Sequence, residues 1–203
     1  MGLTRRTLLR AGLAGSVAAG LARIVQRGSG FAYAGSPIAP GPAPLLVLAD
    51  DQGGRFDLAA ERGRVVLVYF GYTACPDVCP TTLSALAQAL DRLGQQRGQV
   101  RTVFVTLDPA RDTARVLRAY LANFADAGGR PPIGLTDDAG RVAAAAHAWG
   151  ITWRPAAGGA FIDHTSAVAA VAPNGWLRLR YGFSQLDDPA SVAKDLQHLL
   201  QGA

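Results

Sequence analysis

Two cysteines, Cys75 and Cys79, are the only ones in this 203-residue chain, and they stand four apart in Gly71-Tyr72-Thr73-Ala74-Cys75-Pro76-Asp77-Val78-Cys79-Pro80. Thiolates are both nucleophiles and soft metal ligands, so a lone close pair is suited to redox exchange or to holding Cu(I), zinc or an iron–sulfur cluster. Structural zinc and clusters need four ligands, which two sulfurs cannot supply, whereas Cu(I) is satisfied by two or three. A disulfide closing so short a loop adds little stability to a domain of this size, so a purely structural staple is disfavoured. Asp77, between the cysteines, is a candidate supporting residue for the site, although it opposes thiolate formation unless a cation lies beside it.

A third ligand has to come from elsewhere. The sole methionine is Met1, which leaves the three histidines. His147 falls in the middle of a helical run, and His198 falls on or near the frayed end of the last helix. His164 differs, because Asp163-His164-Thr165-Ser166 lies where a loop enters a strand; Asp163 is a candidate to orient its ring. Taken alone, His164 is better read as a loop histidine satisfied by backbone.

The surrounding elements place these groups. Arg64 to Phe70 is an unbroken apolar strand of the kind covered on both faces. Pro80 suits a first helical position, and Leu83, Leu86, Leu90 and Leu93 recur at helical spacing. Val100–Leu107 predicts a second buried strand. Asp112–Phe124 predicts a helix with Val116, Tyr120, Leu121 and Phe124 inward and Asp108 as its cap. Pro132–Leu135 predicts a short strand, and Thr136 caps a helix from Asp137 to Trp149, ended by Gly150. Asp51-Gln52-Gly53-Gly54 turns between two short N-terminal strands. Ser166–Val171 and Trp176–Tyr181 form a hairpin through Pro173-Asn174-Gly175, and a last helix starts after Asp188. This order predicts an α/β fold with a mixed central β-sheet flanked by helices, in the thioredoxin-like arrangement. Oxidoreductases of that arrangement start the hairpin strand with a cis-proline; here the stretch is His164-Thr165-Ser166-Ala167, which favours metal over dithiol oxidation.

Charge separates the N-terminus from the rest. Residues 1–34 hold Arg5, Arg6, Arg10, Arg23 and Arg27 and no acid; twenty basic residues less these five equals the fifteen acidic ones. The remainder is neutral, which argues against nucleic-acid binding. Thr4-Arg5-Arg6-Thr7-Leu8-Leu9-Arg10, the apolar Ala11–Ala22 and Ala32-Tyr33-Ala34 compose an export signal of twin-arginine type over 1–34, with Gly35 as the mature start. Arg23 cuts the apolar stretch below the ~20 residues of a spanning helix. Residues 35–47 are Pro/Gly-rich and read as a tether, leaving 48–203 as the domain. A periplasmic location is expected, with membrane anchoring by an uncleaved N-terminus as the less favoured alternative, in a compartment where Cys75 and Cys79 can form a disulfide.

Three blocks together resemble the Sco/SenC family, the copper-delivery proteins of cytochrome c oxidase assembly. They are Gly71 to Leu83, Asp108-Pro109-Ala110-Arg111-Asp112-Thr113 and Asp163-His164-Thr165-Ser166. The resemblance implies copper, as Cu(I) or Cu(II), on Cys75, Cys79 and His164, with the cysteines also able to cycle through a disulfide. It implies a metallochaperone rather than an enzyme. Its partner is a copper-receiving oxidase subunit or another copper chaperone, with no small-molecule substrate. A thiol–disulfide reductase that keeps a partner's copper cysteines reduced is the alternative. Asp108, Arg111 and Asp112 are expected to serve structure.

Overall fold

The computed structural model describes residues 30–155 and 161–202. The export signal expected over 1–34 lies mostly outside the described residues, as does the Gly/Ala-rich run 156–160 that precedes His164. The domain from Tyr33 onward forms one compact unit.

Its centre is β4 (Val65–Gly71), buried at every position. Side chains alternate across a strand, and here both faces are covered. Val65, Leu67 and Tyr69 enter one core, with Leu83, Leu86, Leu117, Leu196 and Leu199. Val66, Val68 and Phe70 enter the other, with Leu48, Val103, Leu135 and Trp149. β4 pairs in parallel with β5 (Val100–Thr106) and antiparallel with β9 (Ala167–Val171). Around these three the sheet extends to eight strands. On one side β9 pairs with β10 (Trp176–Gly182) and β10 with β1 (Ser36–Pro42). On the other, β5 is followed by β6 (Ile133–Thr136), β2 (Val47–Asp50) and β3 (Arg55–Asp57). The sheet is mixed and flanked by helices, as the sequence predicts.

The helices are α1 (Val78–Asp91), α2 (Ala114–Leu121), α3 (Ala139–Ala148) and α4 (Pro189–Leu200). α4 packs on α1, so the cysteine helix is backed by the C-terminal one. A separate two-stranded ribbon, β7 (Trp153–Pro155) with β8 (Ile162–His164), stands beside the main sheet. Alternation is weak there, and nothing in the sequence announced it as paired strand.

Several boundaries move. The tether expected over 35–47 is largely strand: Ser36 to Pro42 pairs with β10, interrupted by one register shift between Pro37 and Gly41. An edge strand tolerates proline because its open side needs no donor. α1 starts two residues earlier than Pro80 suggests. α2 is capped by Thr113, whose side chain accepts the N–H of Val116, and Asp108 instead belongs to the preceding turn. Leu117, absent from the expected inner face, is fully buried, while Val116 is only half-buried. α3 is capped by Asp138 rather than Thr136, and Gly150 ends it at φ +69°.

Gly134 sits where α2 crosses β6. A Cβ there would fall 2.9 Å from a Leu121 methyl and 3.0 Å from Leu117 Cβ. Gly134→Ala is expected to lower stability by about 1–3 kcal/mol through overpacking, read as a lower urea midpoint at unchanged slope.

Candidate metal centre

The cysteine loop is built by the end of β4 and the start of α1. Asp77 occupies the position before the first helical residue, yet its carboxylate caps no backbone N–H. Its Oδ1 accepts only the Thr81 hydroxyl, at 3.4 Å, and the side chain is exposed. Capping falls to sulfur: the Cys79 N–H donates to Cys75 Sγ at 3.4 Å. Pro80, next in line, has no N–H to satisfy. Cys75 is thereby fixed over the N-terminus of α1. Asp77 has no cation beside it among the described ion pairs, so its expected supporting role is not seen.

Cys79 has no solvent exposure. Tyr69, from β4, donates its hydroxyl to Cys79 Sγ at 3.4 Å. Gly71 closes the other side: a Cβ there would lie 2.9 Å from Cys79 Sγ and 2.8 Å from the Phe104 ring. Burial pushes the Cys79 thiol up to about 12, and the stabilising hydrogen bond from Tyr69 only partly opposes this. At neutral pH this sulfur therefore carries a proton unless something replaces it. Both cysteines are free thiols in this structure.

His164 ends β8, opposite Trp153 on β7. The ribbon is tied back where Thr165 N–H donates to Thr152 O at 2.9 Å and Thr152 N–H to Thr165 Oγ1 at 3.2 Å. The ring's Nδ1 lies 3.0 Å from the Thr165 carbonyl. A carbonyl only accepts, so Nδ1 carries the proton and the Nε2 lone pair is left free. Nε2 is 3.9 Å from Cys79 Sγ. Burial lowers the His164 pKa, outweighing the Thr165 carbonyl and the charge of Asp163, which raise it. The Tyr72 ring stands edge-on to the imidazole, centroids 5.9 Å apart.

Asp163 does not orient that ring. Its carboxylate turns to Arg154 at 3.5 Å in an exposed pair, and the Thr165 carbonyl takes the orienting role. Neighbouring side chains on a strand point to opposite faces, which is why the adjacency misleads. His147 lies exposed on α3 and His198 half-buried in α4 against Tyr33, both on elements other than those that carry the cysteines and His164.

Asp112 supplies what sequence reading missed. This carboxylate is 1% exposed. It accepts the Thr73 N–H at 3.0 Å, the Thr73 hydroxyl at 2.6 Å and the Thr106 hydroxyl at 2.6 Å. It thus bolts the cysteine loop to the end of β5. The signal was present as a threonine two residues before Cys75 and an aspartate in the middle block, but only folding brings them together.

The donor set suits a soft ion. With metal–sulfur and metal–nitrogen bonds of about 2.3 and 2.0 Å, two ligands of one ion lie less than about 4.3 Å apart. The 3.9 Å between Cys79 Sγ and His164 Nε2 satisfies this limit. Among the described residues, no three His, Cys, Asp or Glu side chains already converge as a metal cluster. The ligands meet as pairs: Cys75 with the Cys79 amide, and Cys79 with His164.

Two substitutions test the support. Asp112→Ala is expected to cost about 2–4 kcal/mol, since it strands buried donors on Thr73 and Thr106; chemical denaturation measures it. Gly71→Ala, whose new methyl presses on Cys79 Sγ, is expected to weaken soft-metal binding by at least about tenfold while costing about 1–3 kcal/mol of stability. Unchanged affinity in that variant would mean Cys79 is not held where metal binds.

Comparison with known proteins places this geometry. The SCO1/SenC family model matches residues 46–201. A protein of Stutzerimonas stutzeri named as a candidate copper binder is 37% identical over 139 residues, covering 66% of each chain. The chain spans between 40% and 66% of the length of the first curated relatives it matches. Among solved structures, apo Sco1 of Thermus thermophilus superposes with TM-score 0.73 at 32% identity, covering 85% of this chain and 99% of that one. ScoI of Bradyrhizobium japonicum, solved with copper bound, gives TM-score 0.69 at 26% identity over 78% and 99%. The fold is the thioredoxin-like one of these Sco structures, and the chain belongs to the SCO1/SenC family.

Proposed function

We propose that this chain is an exported copper-binding protein that carries copper as cargo on Cys75, Cys79 and His164, and passes it to a cytochrome c oxidase subunit. A second copper chaperone is the expected donor or alternative recipient. The observation that carries the reading is the approach of His164 Nε2 to Cys79 Sγ at 3.9 Å, with Nδ1 already committed to a backbone carbonyl. Family membership and the copper-bound ScoI structure support the choice of metal. Two sulfurs and one imidazole are a set that Cu(I) accepts. Export of the domain to the periplasm follows from the twin-arginine-type segment over 1–34, and no described helix is long and apolar enough to cross a membrane.

The protein's own groups set the terms of loading. His164 needs no deprotonation near neutral pH, because burial holds its pKa below the ordinary value. Cys79 must surrender a proton, because its thiol is held at about 12. Copper uptake therefore releases protons, and affinity rises with pH and falls on acidification.

A second reading is thiol–disulfide exchange with a partner. It is favoured by Cys75 Sγ sitting half-exposed at the start of α1, where a partner disulfide can reach it. Loss of activity in Cys75→Ser with full activity in His164→Ala, assayed on a partner disulfide without copper, would support that reading over cargo binding.

Anaerobic Cu(I) titration against a competing chelator tests the proposal. One equivalent is expected to bind, with His164→Ala weaker by about 10–100-fold and Cys79→Ser weaker still. Affinity should rise roughly tenfold per pH unit for each thiol proton displaced between pH 6 and 8. A pH-independent affinity, or one unaffected by His164→Ala, would sink the three-ligand site.

A further inference from the structure

The domain starts on a buried carboxylate. Asp195, in α4, is 1% exposed and faces the first residues of the fold. Its Oδ1 accepts the Ala34 N–H at 3.1 Å; its Oδ2 accepts the Gly35 N–H at 2.9 Å and the Tyr181 hydroxyl at 3.1 Å. All three donors are neutral, and no ion pair within 4.0 Å includes Asp195 among the described residues. The carboxylate thus closes on two backbone N–H groups and one hydroxyl at the start of the fold.

The same peptide bond is gripped from its other side. Gln185 donates to the Ala34 carbonyl at 2.7 Å. Gly35 is buried, and a Cβ on it would lie 2.7 Å from the Tyr181 ring, so no other residue fits there without displacement. This is the bond that follows the small-residue motif Ala32-Tyr33-Ala34 of the export signal. A processing motif and a buried carboxyl group thus meet at one position, although nothing in the motif requires one.

We propose that Asp195 is the seat of a new N-terminus, so that hydrolysis between Ala34 and Gly35 leaves the α-ammonium of Gly35 paired with the Asp195 carboxylate. The inference rests on the reading of 1–34 as a cleaved export signal. A peptidase of the export pathway supplies catalysis and water supplies the atoms. The C–N bond breaks, the hydroxyl ends on the Ala34 carbonyl carbon as a carboxylate, and the Gly35 nitrogen leaves as an ammonium. The new Ala34 carboxylate faces Asp195 with like charge, which favours departure of the released segment. The Gly35 nitrogen keeps its place on Oδ2, and its additional N–H groups can take the Oδ1 that Ala34 vacates. Because the bond is buried when seated, cleavage requires this segment to lift first and reseat afterwards. The pairing then anchors α4, the helix that backs the cysteine helix α1.

Export of the full chain in a bacterium with a twin-arginine pathway, followed by purification and N-terminal sequencing, is the first measurement, with Gly35 expected as the first residue. Limited acylation with acetic anhydride across pH then reads the amine. Lys194 is the only lysine in the chain and is exposed, so it serves as the internal reference. The other titratable groups around the site are Tyr181 and Arg178 on β10 and His198 on α4. Relative to Lys194, the Gly35 amine is expected to react at least about tenfold more slowly at pH 7–8 in folded protein than in urea, with its pKa above the ordinary value of about 8 by a unit or more. Asp195→Asn should restore ordinary reactivity, and the urea reference keeps the test decisive if that variant fails to fold. A mature start elsewhere would overturn both the processing reading and this pairing. A start at Gly35 whose amine titrates normally would overturn the pairing alone.

Discussion

Complete burial of the Cys79 thiol is the constraint on which the site depends. A sulfur with no access to water sits where the central strand ends and the first helix begins, closed in by Gly71, Phe104 and the Tyr69 hydroxyl. Burial keeps it protonated against the pull of hydrogen bonds from the Tyr69 hydroxyl and the Tyr72 backbone. A thiol so placed is a poor free nucleophile. It becomes an anion when something of opposite charge replaces its proton, which a soft cation does well. The fold thus favours a role for Cys79 as ligand over one as attacking group, while Cys75, half-exposed at the helix N-terminus, is the more accessible sulfur.

The rest of the domain holds that point still. β4 is paired along both edges and packed on both faces, so the strand leading into the loop has little freedom. Asp112 ties Thr73 to Thr106 from a residue that lies between β5 and α2. The His164 ribbon is a separate two-stranded unit, joined to the segment after α3 through Thr152 and Thr165. One candidate ligand therefore comes from the rigid centre and another from an appended ribbon. On the proposed function, release of cargo is easier to accommodate when the candidate ligands are not all fixed by one rigid element.

Much of this was legible in the residues. Continuous apolar sequence at 65–70 specified a two-sided central strand, and the leucine spacing after Pro80 specified the helix that follows. Cysteine spacing, the lack of other sulfur ligands and the setting of His164 pointed to the residues that the structure brings near one another. What stayed hidden depended on long-range partners. Ser36–Pro42 looked like a tether because its prolines break strands in general, and only the position at the sheet edge makes them tolerable. Asp163 looked like the histidine's orienting partner because it is adjacent, yet strand alternation sends it to Arg154. Asp112 and Asp195 carried no local sign of their distant hydrogen-bond partners Thr73 and Gly35, which lie 39 and 160 residues away.

Cu K-edge X-ray absorption of the anaerobically loaded Cu(I) protein tests the central claim most directly, because it counts the atoms around the metal. Two sulfur scatterers and one imidazole nitrogen are expected, with the imidazole signal lost in His164→Ala. A two-sulfur site without imidazole, or one unchanged by that substitution, would contradict the account.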